Sequence, residues 1–241
     1  MDEETRERLL ALNHEFYRAF AHPFAASRPV DPALEHILPY IPQRARVLDV
    51  GCGNGRLALL LDRERPGASY LGLDATPELI EMARAQASRL TSIAAEFRVA
   101  DVAREGWREG LSRDPFDCAA ILAVLHHIPG FDLRARVLRD VAELLGHGGK
   151  LILSTWQFLT NERMRRKIVD WAEAGIAKEA LEPGDYLLDW KRAGRGLRYC
   201  HLVDEAEIER LVTDSGLGIR ETFCAGGREE NLSLFAVLEE V

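Results

Sequence analysis

The sequence predicts an α/β fold, a doubly wound sheet of seven mostly parallel strands that ends in an antiparallel hairpin. Three observations support this fold class. Short apolar runs alternate with amphipathic segments, a pattern typical of parallel strands connected by helices. The first run leads into three alternating glycines, from Gly51 to Gly55. The last two runs flank the pair Gly226-Gly227, which is typical of a hairpin turn.

The region before the first strand, residues 1–44, is expected to form a helical cap. Residues 4–20 place apolar side chains at helical spacing, and Pro23 is expected to end this helix. A shorter helix is expected over residues 33–38, with Asp31 or Ser27 as its N-cap. Two positions are open for this region, over the ligand cleft or along an edge of the sheet.

The central part of the chain alternates between predicted strands and helices. The strands are expected at residues 45–50, 70–74, 95–100, 116–124 and 150–156. The helices between them are expected at residues 56–65, 77–90 and 132–145. Because right-handed crossovers bring the carboxyl ends of parallel strands to one edge, a ligand site is expected at that edge.

The pattern loosens after the fifth strand, where residues 157–203 are expected to form an insertion of helix and loop near the substrate cleft. The insertion is expected to contain a helix over 160–177, a loop over 178–196 and a short strand over 197–202. The sheet is then completed by a helix over 205–215 and strands over 217–224 and 231–238. The 241 residues are thus predicted to form a single domain.

Composition and charge exclude several classes of protein. The apolar runs are too short to span a bilayer, and the charged N-terminus lacks a signal-peptide core, so no membrane contact is expected. The formal charge of −8 argues against a surface coated with positive potential for nucleic acid, but it leaves room for a local basic patch. The four cysteines form no C-x-x-C pair, so we expect no metal site, no disulfide framework and a cytoplasmic setting.

The glycine spacing indicates the class of ligand. A dinucleotide site has the spacing G-x-G-x-x-G, because a pyrophosphate rests on the following helix. Here the spacing is G-x-G-x-G, preceded by Asp49, so the third glycine comes one residue early. Asp74 closes the next predicted strand, 25 residues after Asp49, where a carboxylate can accept both ribose hydroxyls. The segment resembles motif I of the class I S-adenosylmethionine-dependent methyltransferases.

This resemblance implies a Rossmann-like methyltransferase fold with S-adenosylmethionine as cofactor. In that family the glycine loop packs against the amino-acid end of the cofactor, and an acid after the third strand meets the adenine amino group. The residues implied to bind the cofactor are Asp49, Gly51, Cys52, Gly53, Gly55, Asp74, Ala75, Asp101, Val102 and Leu122.

Two histidines, His126 and His127, follow the fourth strand at the expected ligand edge. Histidines at this place can orient an anionic substrate or move a proton, or they can be structural. Metal binding is not expected, since adjacent side chains point in different directions and no third ligand is spaced for them.

A narrower resemblance covers most of the chain. The sequence is similar to the eukaryotic tRNA wobble-uridine carboxymethyl methyltransferases in motif I, at Asp74 and in more particular segments. These segments are Asn13-x-x-Phe16-Tyr17 through Ser27-Arg28, Ala100-Asp101, Ala123 to His127, Trp156, Gly184-Asp185-Tyr186, Arg198 to Leu202, and Gly227 to Leu232. The sequence departs from that family at Asp189, where a proline usually precedes the tryptophan, and at Cys200, where a second aromatic residue is usual.

This second resemblance implies methyl transfer to a substrate oxygen, in particular the carboxylate of a carboxymethyl-type wobble uridine in tRNA. The residues implied to build the acceptor site are Tyr17, Arg28, His126, His127, Arg198 and His201. A small zinc-binding activator protein is implied as a partner. A carboxylate is ionised at neutral pH and needs no general base, so such a site chiefly has to align it with cationic donors.

Three other functions fit parts of the pattern. A small-molecule O- or N-methyltransferase would keep the same cofactor site, and an apolar acceptor cleft without arginine would favour it. A non-catalytic adenosyl-binding partner that regulates another protein is disfavoured by the intact motif I. An NAD-dependent dehydrogenase is disfavoured by the early third glycine.

Overall fold

The computed structural model describes residues 1–27, 32–213 and 215–241. Ten strands in these ranges form two sheets. They are β1 (Arg46–Val50), β2 (Ser69–Asp74), β3 (Ala94–Val99), β4 (Phe116–Leu122), β5 (Leu145–Trp156), β6 (Ile168–Val169), β7 (Asp185–Trp190), β8 (Gly196–His201), β9 (Leu217–Ala225) and β10 (Ser233–Glu240).

Seven α-helices lie in the same ranges. They are α1 (Glu3–Ala19), α2 (Ala21–Ala26), α3 (Arg56–Glu64), α4 (Pro77–Ala87), α5 (Phe131–Ala142), α6 (Glu162–Arg165) and α7 (Glu205–Val212). Short 3₁₀ segments cover Pro32–Tyr40, Leu125–His127, Trp171–Ala174 and Lys178–Ala180. None of the helices described has both the length and the apolar character needed to cross a bilayer.

The large sheet has the strand order β3-β2-β1-β4-β5-β10-β9. Strands β1 to β5 are parallel, and β10 runs antiparallel between β5 and β9. This confirms the predicted seven-stranded sheet with its C-terminal antiparallel pair. Apolar side chains of α5 and α7 pack on one face of the sheet, and those of α3 and α4 pack on the other.

The insertion contains a second, three-stranded antiparallel sheet with the order β6-β7-β8. The predicted helix over residues 160–177 is wrong, since α6 spans only four residues and β6 follows it. The predicted loop over 178–196 is wrong in part, because it contains β7. β7 pairs with β8 from Asp185 opposite His201 to Trp190 opposite Gly196. Only residues 191–195 connect β7 to β8, but neither strand shows alternating burial, so local periodicity does not report their pairing.

The N-terminal region also differs from expectation. Pro23 was expected to end the first helix, but it lies in the first turn of α2. A proline is tolerated there, because the N–H groups of the first turn have no intrahelical partner. Of the two predicted caps of the next helix, Ser27 instead ends α2, and Asp31 lies outside the described residues.

Helix α1 packs against the small sheet. Leu9 lies in an apolar cluster with Trp171 and Leu187. The buried Asn13 amide pairs with the backbone of Tyr199 on β8: its Oδ1 accepts from the N–H at 2.9 Å, and its Nδ2 donates to the C=O at 3.2 Å. Helix α1 and the small sheet therefore behave as one packed unit, which we call the cap.

Candidate active site

The glycine loop (residues 51–55) joins β1 to α3 at the carboxyl edge of the large sheet. Gly51, Gly53 and Gly55 have φ values of 73°, 56° and 82°, a region that favours glycine. At Gly51 a Cβ would lie 2.2 Å from Cγ2 of Val124, so any side chain there would clash. At Gly53 no described atom would lie within 4 Å of a Cβ. The loop is thus closely packed at one glycine and open at the next, as a cradle for a ligand requires.

Asp74 ends β2 beside the glycine loop. Its Oδ2 accepts from the N–H of Gly53 at 2.9 Å, and its Oδ1 accepts from the N–H of Thr76 at 2.8 Å. Burial raises the pKa of Asp74 above its usual value, although both backbone hydrogen bonds act to lower it. The Thr76 side chain also hydrogen-bonds this carboxylate. The remaining acceptor capacity of the carboxylate is available to hydroxyls of a ligand.

The first cavity lies between this edge of the sheet and the cap. The residues of α1 and α2 that line it are Leu10, Asn13, His14, Tyr17, Phe24 and Ala25. Most residues predicted to bind the cofactor line it too, namely Gly51, Cys52, Gly53, Asp74, Ala75, Asp101, Val102 and Leu122. The sequence left two positions open for the N-terminal region, over the cleft or along an edge of the sheet. In the structure its helices lie over the cleft.

Asp49 and Gly55, the other two residues predicted to bind the cofactor, lie outside this lining. Asp49 is buried, and the Tyr70 hydroxyl donates to its Oδ2 at 2.5 Å. Burial raises the pKa of Asp49 to about 7, while the hydrogen bond from Tyr70 acts to lower it. At Gly55 a Cβ would lie 3.0 Å from the ring of Phe97. Both residues are therefore packed against neighbouring side chains and do not line the cavity.

Asp101 follows β3 and contacts two elements. Its Oδ1 accepts from the N–H of Ala103 at 2.9 Å, and its Oδ2 lies 3.3 Å from Nε2 of His14 on α1. The sequence pattern did not single out His14. The available signal is its spacing of three residues from Tyr17, since side chains three apart share one face of a helix.

These features fit S-adenosylmethionine. A nucleoside has two adjacent hydroxyls and a polar base, and Asp74 and Asp101, after neighbouring strands, could accept hydrogen bonds from them. The open side of Gly53 leaves room for an amino-acid end beside the N-terminus of α3. Two carboxylates in the lining also favour a positively charged sulfonium over a neutral or anionic ligand.

A second cavity of about 520 Å³ adjoins the first. The two share four lining residues, Arg56, Leu122, Ala123 and Trp156. Six cationic side chains line the second cavity: Arg56, Arg163, Lys167, Lys191, Arg192 and Arg198. No acidic residue appears among its described lining residues, although the chain as a whole carries a formal charge of −8. This cavity is therefore suited to an anion.

Arg198 is the most buried of these cations. Its guanidinium carbon lies 4.7 Å, 5.0 Å and 5.3 Å from the ring centroids of Phe16, Trp156 and Trp190. Its Nε and Nη1 make no hydrogen bond to any described residue. Because a buried donor group without an acceptor is costly, this arrangement favours a ligand that supplies acceptor oxygens.

Tyr17 and His127 form a hydrogen-bonded pair in the first cavity. The Tyr17 hydroxyl lies 2.7 Å from Nε2 of His127, and Nδ1 of His127 lies 3.0 Å from the backbone oxygen of Tyr199. Because a carbonyl oxygen can only accept, Nδ1 carries the proton in the neutral ring and Nε2 accepts from the Tyr17 hydroxyl.

Two of the remaining predicted acceptor residues, His126 and His201, line neither of these two cavities. His126 is buried, and its ring lies 4.5 Å from that of Trp156, so it supports the wall shared by the cavities. His201 is buried on the opposite face of β8 from Arg198, bonded to Asp185. Arg28 lies outside the described residues.

Known proteins that resemble this chain are methyltransferases, in agreement with the geometry of the site. The methyltransferase domain family matches residues 17–222 of the chain. A protein of Encephalitozoon cuniculi that is named as a methyltransferase is 29% identical over 231 residues, or 94% of each chain. The ubiquinone biosynthesis O-methyltransferase of Xanthomonas axonopodis pv. citri is 36% identical over 134 residues, which cover 55% of this chain and 52% of that protein. The chain thus matches only about half the length of this second relative.

Two solved structures share the fold. The S-adenosylmethionine-dependent methyltransferase of Methanosarcina mazei matches with a TM-score of 0.66 at 25% identity, over 86% of this chain and 97% of its own. A Haloferax volcanii protein, solved in complex with the Trm112 methyltransferase activator, matches with a TM-score of 0.60 at 17% identity, over 94% and 96%. The family match includes the glycine loop, Asp74, Asp101 and Arg198. The protein therefore belongs to the methyltransferase domain family and is a class I S-adenosylmethionine-dependent methyltransferase.

Proposed function

We propose that the protein methylates a carboxylate oxygen of an anionic acceptor held in the second cavity. The observation that carries this proposal is the buried Arg198 guanidinium, two of whose nitrogen atoms have no described hydrogen-bond partner. S-Adenosylmethionine, when bound, supplies a methyl group already activated by its sulfonium. The chain therefore has to orient the acceptor and exclude water rather than generate a nucleophile.

Arg198 suits this task because of how it is held. Aromatic rings of Phe16, Trp156 and Trp190 pack around the guanidinium, which fixes its plane and keeps its N–H groups for a ligand. A carboxylic acid with a pKa of about 4 is ionised at neutral pH, so its oxygen is nucleophilic without a general base. Hydrogen bonds from Arg198 can hold the carboxylate while leaving a lone pair for the methyl group.

We propose a carboxymethyl-type wobble uridine of tRNA as the acceptor. The resemblance in the segments at Asn13, Gly184 and Arg198 supports this choice. The cavity lining supports it independently, because it is cationic. Four further cations of the cavity suit phosphates next to the modified nucleotide: Arg163, Lys167, Lys191 and Arg192.

The test is methyl transfer from labelled S-adenosylmethionine to total tRNA, followed by nucleoside mass spectrometry before and after mild alkali. We expect a methyl ester, which alkali removes. Arg198→Met should lower kcat/KM about 10- to 100-fold, the effect of losing a charged hydrogen bond of about 1.5–3 kcal/mol. The matched control is Arg220→Met, an exposed arginine paired with Glu239 on the far strands of the sheet. Equal kcat/KM for Arg198→Met and the wild type would contradict the proposal.

A second candidate is O-methylation of a small-molecule hydroxyl. It is favoured by the Tyr17–His127 pair in the first cavity and by the similarity to a ubiquinone biosynthesis enzyme. A hydroxyl must lose a proton, and Nε2 of His127 could accept it through the Tyr17 hydroxyl. With a hydroxyl acceptor the rate should rise with pH, because a proton has to be removed from the acceptor. With a carboxylate acceptor it should show no rise above about pH 5.

We also propose a small zinc-binding activator as a partner, on the resemblance and on the complex formed by the Haloferax volcanii protein. Co-expression with such an activator should raise methyl transfer or the affinity for S-adenosylhomocysteine above that of the chain alone. If S-adenosylhomocysteine binds but neither tRNA nor small acceptors are methylated, with or without the activator, a non-catalytic adenosyl-binding role is supported instead.

A further inference from the structure

Strand β8 presents different side chains on its two faces. Side chains alternate along a strand, so Arg198 and Cys200 share one face while Tyr199 and His201 share the other. Arg198 lines the second cavity, and Cys200 packs in a cluster with Trp156. The position of the guanidinium therefore depends on how the opposite face of β8 is anchored.

The opposite face is anchored through His201. Its Nδ1 lies 2.7 Å from Oδ1 of Asp185 on β7, and its Nε2 lies 2.7 Å from Oε2 of Glu207 on α7. All three side chains are buried. An ionised carboxylate can only accept hydrogen bonds, and the contact of Nε2 with Glu207 is shorter than its 3.1 Å contact with the Arg134 guanidinium, which can only donate. With both ring nitrogens donating to the nearer carboxylates, the ring is an imidazolium.

Four other charged or titratable groups face this arrangement. They are Tyr199 on β8, Glu182 before β7, Arg134 on α5 and Arg210 on α7. The Tyr199 hydroxyl donates to Asp185, and Arg210 lies 3.7 Å from Glu207.

Arg134 completes the charge balance of the network. It donates through Nε to Glu207 at 2.7 Å and through Nη2 to Glu182 at 3.0 Å. Glu182, Asp185 and His201 are close enough to hold a metal ion, but the Arg134 guanidinium, 3.1 Å from Nε2 of His201, already supplies positive charge there. Three carboxylates then face one buried arginine, and the imidazolium is the second buried cation they require.

The same network reaches the first cavity. Arg134 donates through Nη1 to the backbone oxygen of Ile128 at 3.0 Å, and Glu182 accepts from the N–H of Phe131 at 3.1 Å. Ile128 lines the first cavity, directly after His127. The network therefore connects β8 to the segment that carries the histidine pair.

We propose that His201 is a positioning residue, whose imidazolium holds β8 to β7 and α7 so that Arg198 faces the acceptor cavity. This positioning role replaces direct contact with the acceptor, the role that the resemblance implied for His201. The purpose assigned to Arg198 rests on the proposed function, but the anchoring of β8 does not.

The surroundings of His201 determine the pH at which its ring loses the proton and its ion pairs are lost. Burial acts to lower the pKa of His201, but hydrogen bonds to Asp185 and Glu207 outweigh it and raise the pKa above its usual value. A pKa raised in the folded state means that the stabilisation is complete below about pH 6.5, the ordinary value for histidine. It is lost as pH rises through the folded-state pKa.

The first measurement is the ¹⁵N spectrum of the His201 imidazole in the wild-type protein across this range. We expect an imidazolium at pH 7. The second measurement is quenching of tryptophan fluorescence by iodide, an anionic probe of the cavity beside Trp156 and Trp190, compared with the neutral quencher acrylamide. We expect the ratio of the iodide quenching constant to the acrylamide quenching constant to fall as His201 loses its proton. The pH midpoint of this fall should equal the midpoint of the ¹⁵N titration.

His201→Gln should lower this ratio roughly threefold or more, close to the value of Arg198→Met, because the local anion enrichment is lost. Its affinity for S-adenosylhomocysteine should stay within about twofold of wild type, because the first cavity keeps its own donors. The matched control is His147→Gln, an exposed histidine that also pairs with a carboxylate, Glu240, and it should change neither quantity.

A neutral His201 at pH 7, or a folded His201→Gln protein with the wild-type ratio, would overturn the positioning role. The ¹⁵N measurement uses the wild-type protein, so it decides the matter even where His201→Gln fails to fold. If the iodide-to-acrylamide ratio were the same in the wild type and in Arg198→Met, the proposal that Arg198 forms an anion site would instead be overturned. The two failures are therefore distinguishable.

Discussion

Asp74 fixes the glycine loop and is also the proposed acceptor of hydrogen bonds from the cofactor hydroxyls. We predict that Asp74→Ala lowers the affinity for S-adenosylhomocysteine at least about 100-fold by isothermal titration calorimetry, since two hydrogen bonds to a charged group are lost. Asp114→Ala is the control, because Asp114 is an exposed carboxylate that precedes β4 and contacts surface groups, Ser112 at 2.9 Å and Arg46 at 3.5 Å. Unchanged affinity in a folded Asp74→Ala protein would refute the assignment.

Asp49 makes stability depend on pH. Its pKa is about 7 in the folded protein, against about 4 in an unfolded chain. Between these values the unfolded chain loses the proton first, so stability falls as pH rises, by about 4 kcal/mol at most. Asp49→Asn cannot ionise, and we predict that its melting temperature exceeds that of the wild type at pH 8 by more than at pH 5. Asp114→Asn should show no such dependence, and a difference that grows toward pH 5 would contradict the prediction.

Among single residues, the sequence predicted best where spacing along one strand or helix decides the geometry. Asp74 and the glycine loop were found from motif spacing alone. Arg198 and His201 were grouped together as acceptor residues, yet they are three positions apart on a strand and so face opposite sides. His201 could therefore have been separated from Arg198 once β8 was known to be a strand.

At the scale of elements, the cap has an apolar cluster of its own between α1 and the small sheet. Leu9 on α1 is fully buried against the small sheet. We predict that Leu9→Ala costs about 2–4 kcal/mol and speeds amide hydrogen exchange in β6 to β8 while sparing β1 and β4. Leu61→Ala on α3, equally buried in the large sheet, is the matched comparison and should have the reverse pattern. Identical patterns in both variants would show that the cap does not open on its own.

The elements differ in how far the sequence predicted them. The parallel strands and their helices each carry a local signal, an apolar run or an amphipathic period, and all of them were predicted. Of the small sheet, the strand predicted over 197–202 corresponds to β8, whereas β7 was missed because it is buried nearly throughout and so lacks alternation. Its neighbours Gly184 and Gly194 favoured a loop. Its pairing with β8 makes it a strand, and the periodicity of neither segment reports that pairing.

At the scale of the whole molecule, charge is unevenly distributed. A chain with a formal charge of −8 gathers six cations around one cavity, so attraction for a polyanion is local rather than general. We predict that tRNA binding weakens with salt with a log–log slope of about −3, as four phosphate contacts would give. Fluorescence anisotropy between about 50 and 200 mM salt measures this slope.

A small carboxylate has no condensed counterions to release and should show a much shallower salt dependence, so the slope separates the two proposed acceptors. The control is Arg163→Gln, which removes one exposed cation of the cavity and should reduce the tRNA slope by about 1. A slope unaffected by Arg163→Gln would mean that the phosphates lie elsewhere on the surface.

The aromatic enclosure of Arg198 has a consequence for selectivity. An anion can reach this guanidinium only after shedding most of its own water, since Phe16, Trp156 and Trp190 leave little room for a hydration shell. Dehydration is far more costly for a doubly charged oxyanion than for a monoanion. The pocket should therefore admit organic acids and reject inorganic sulfate or phosphate, even though its entrance attracts all of them.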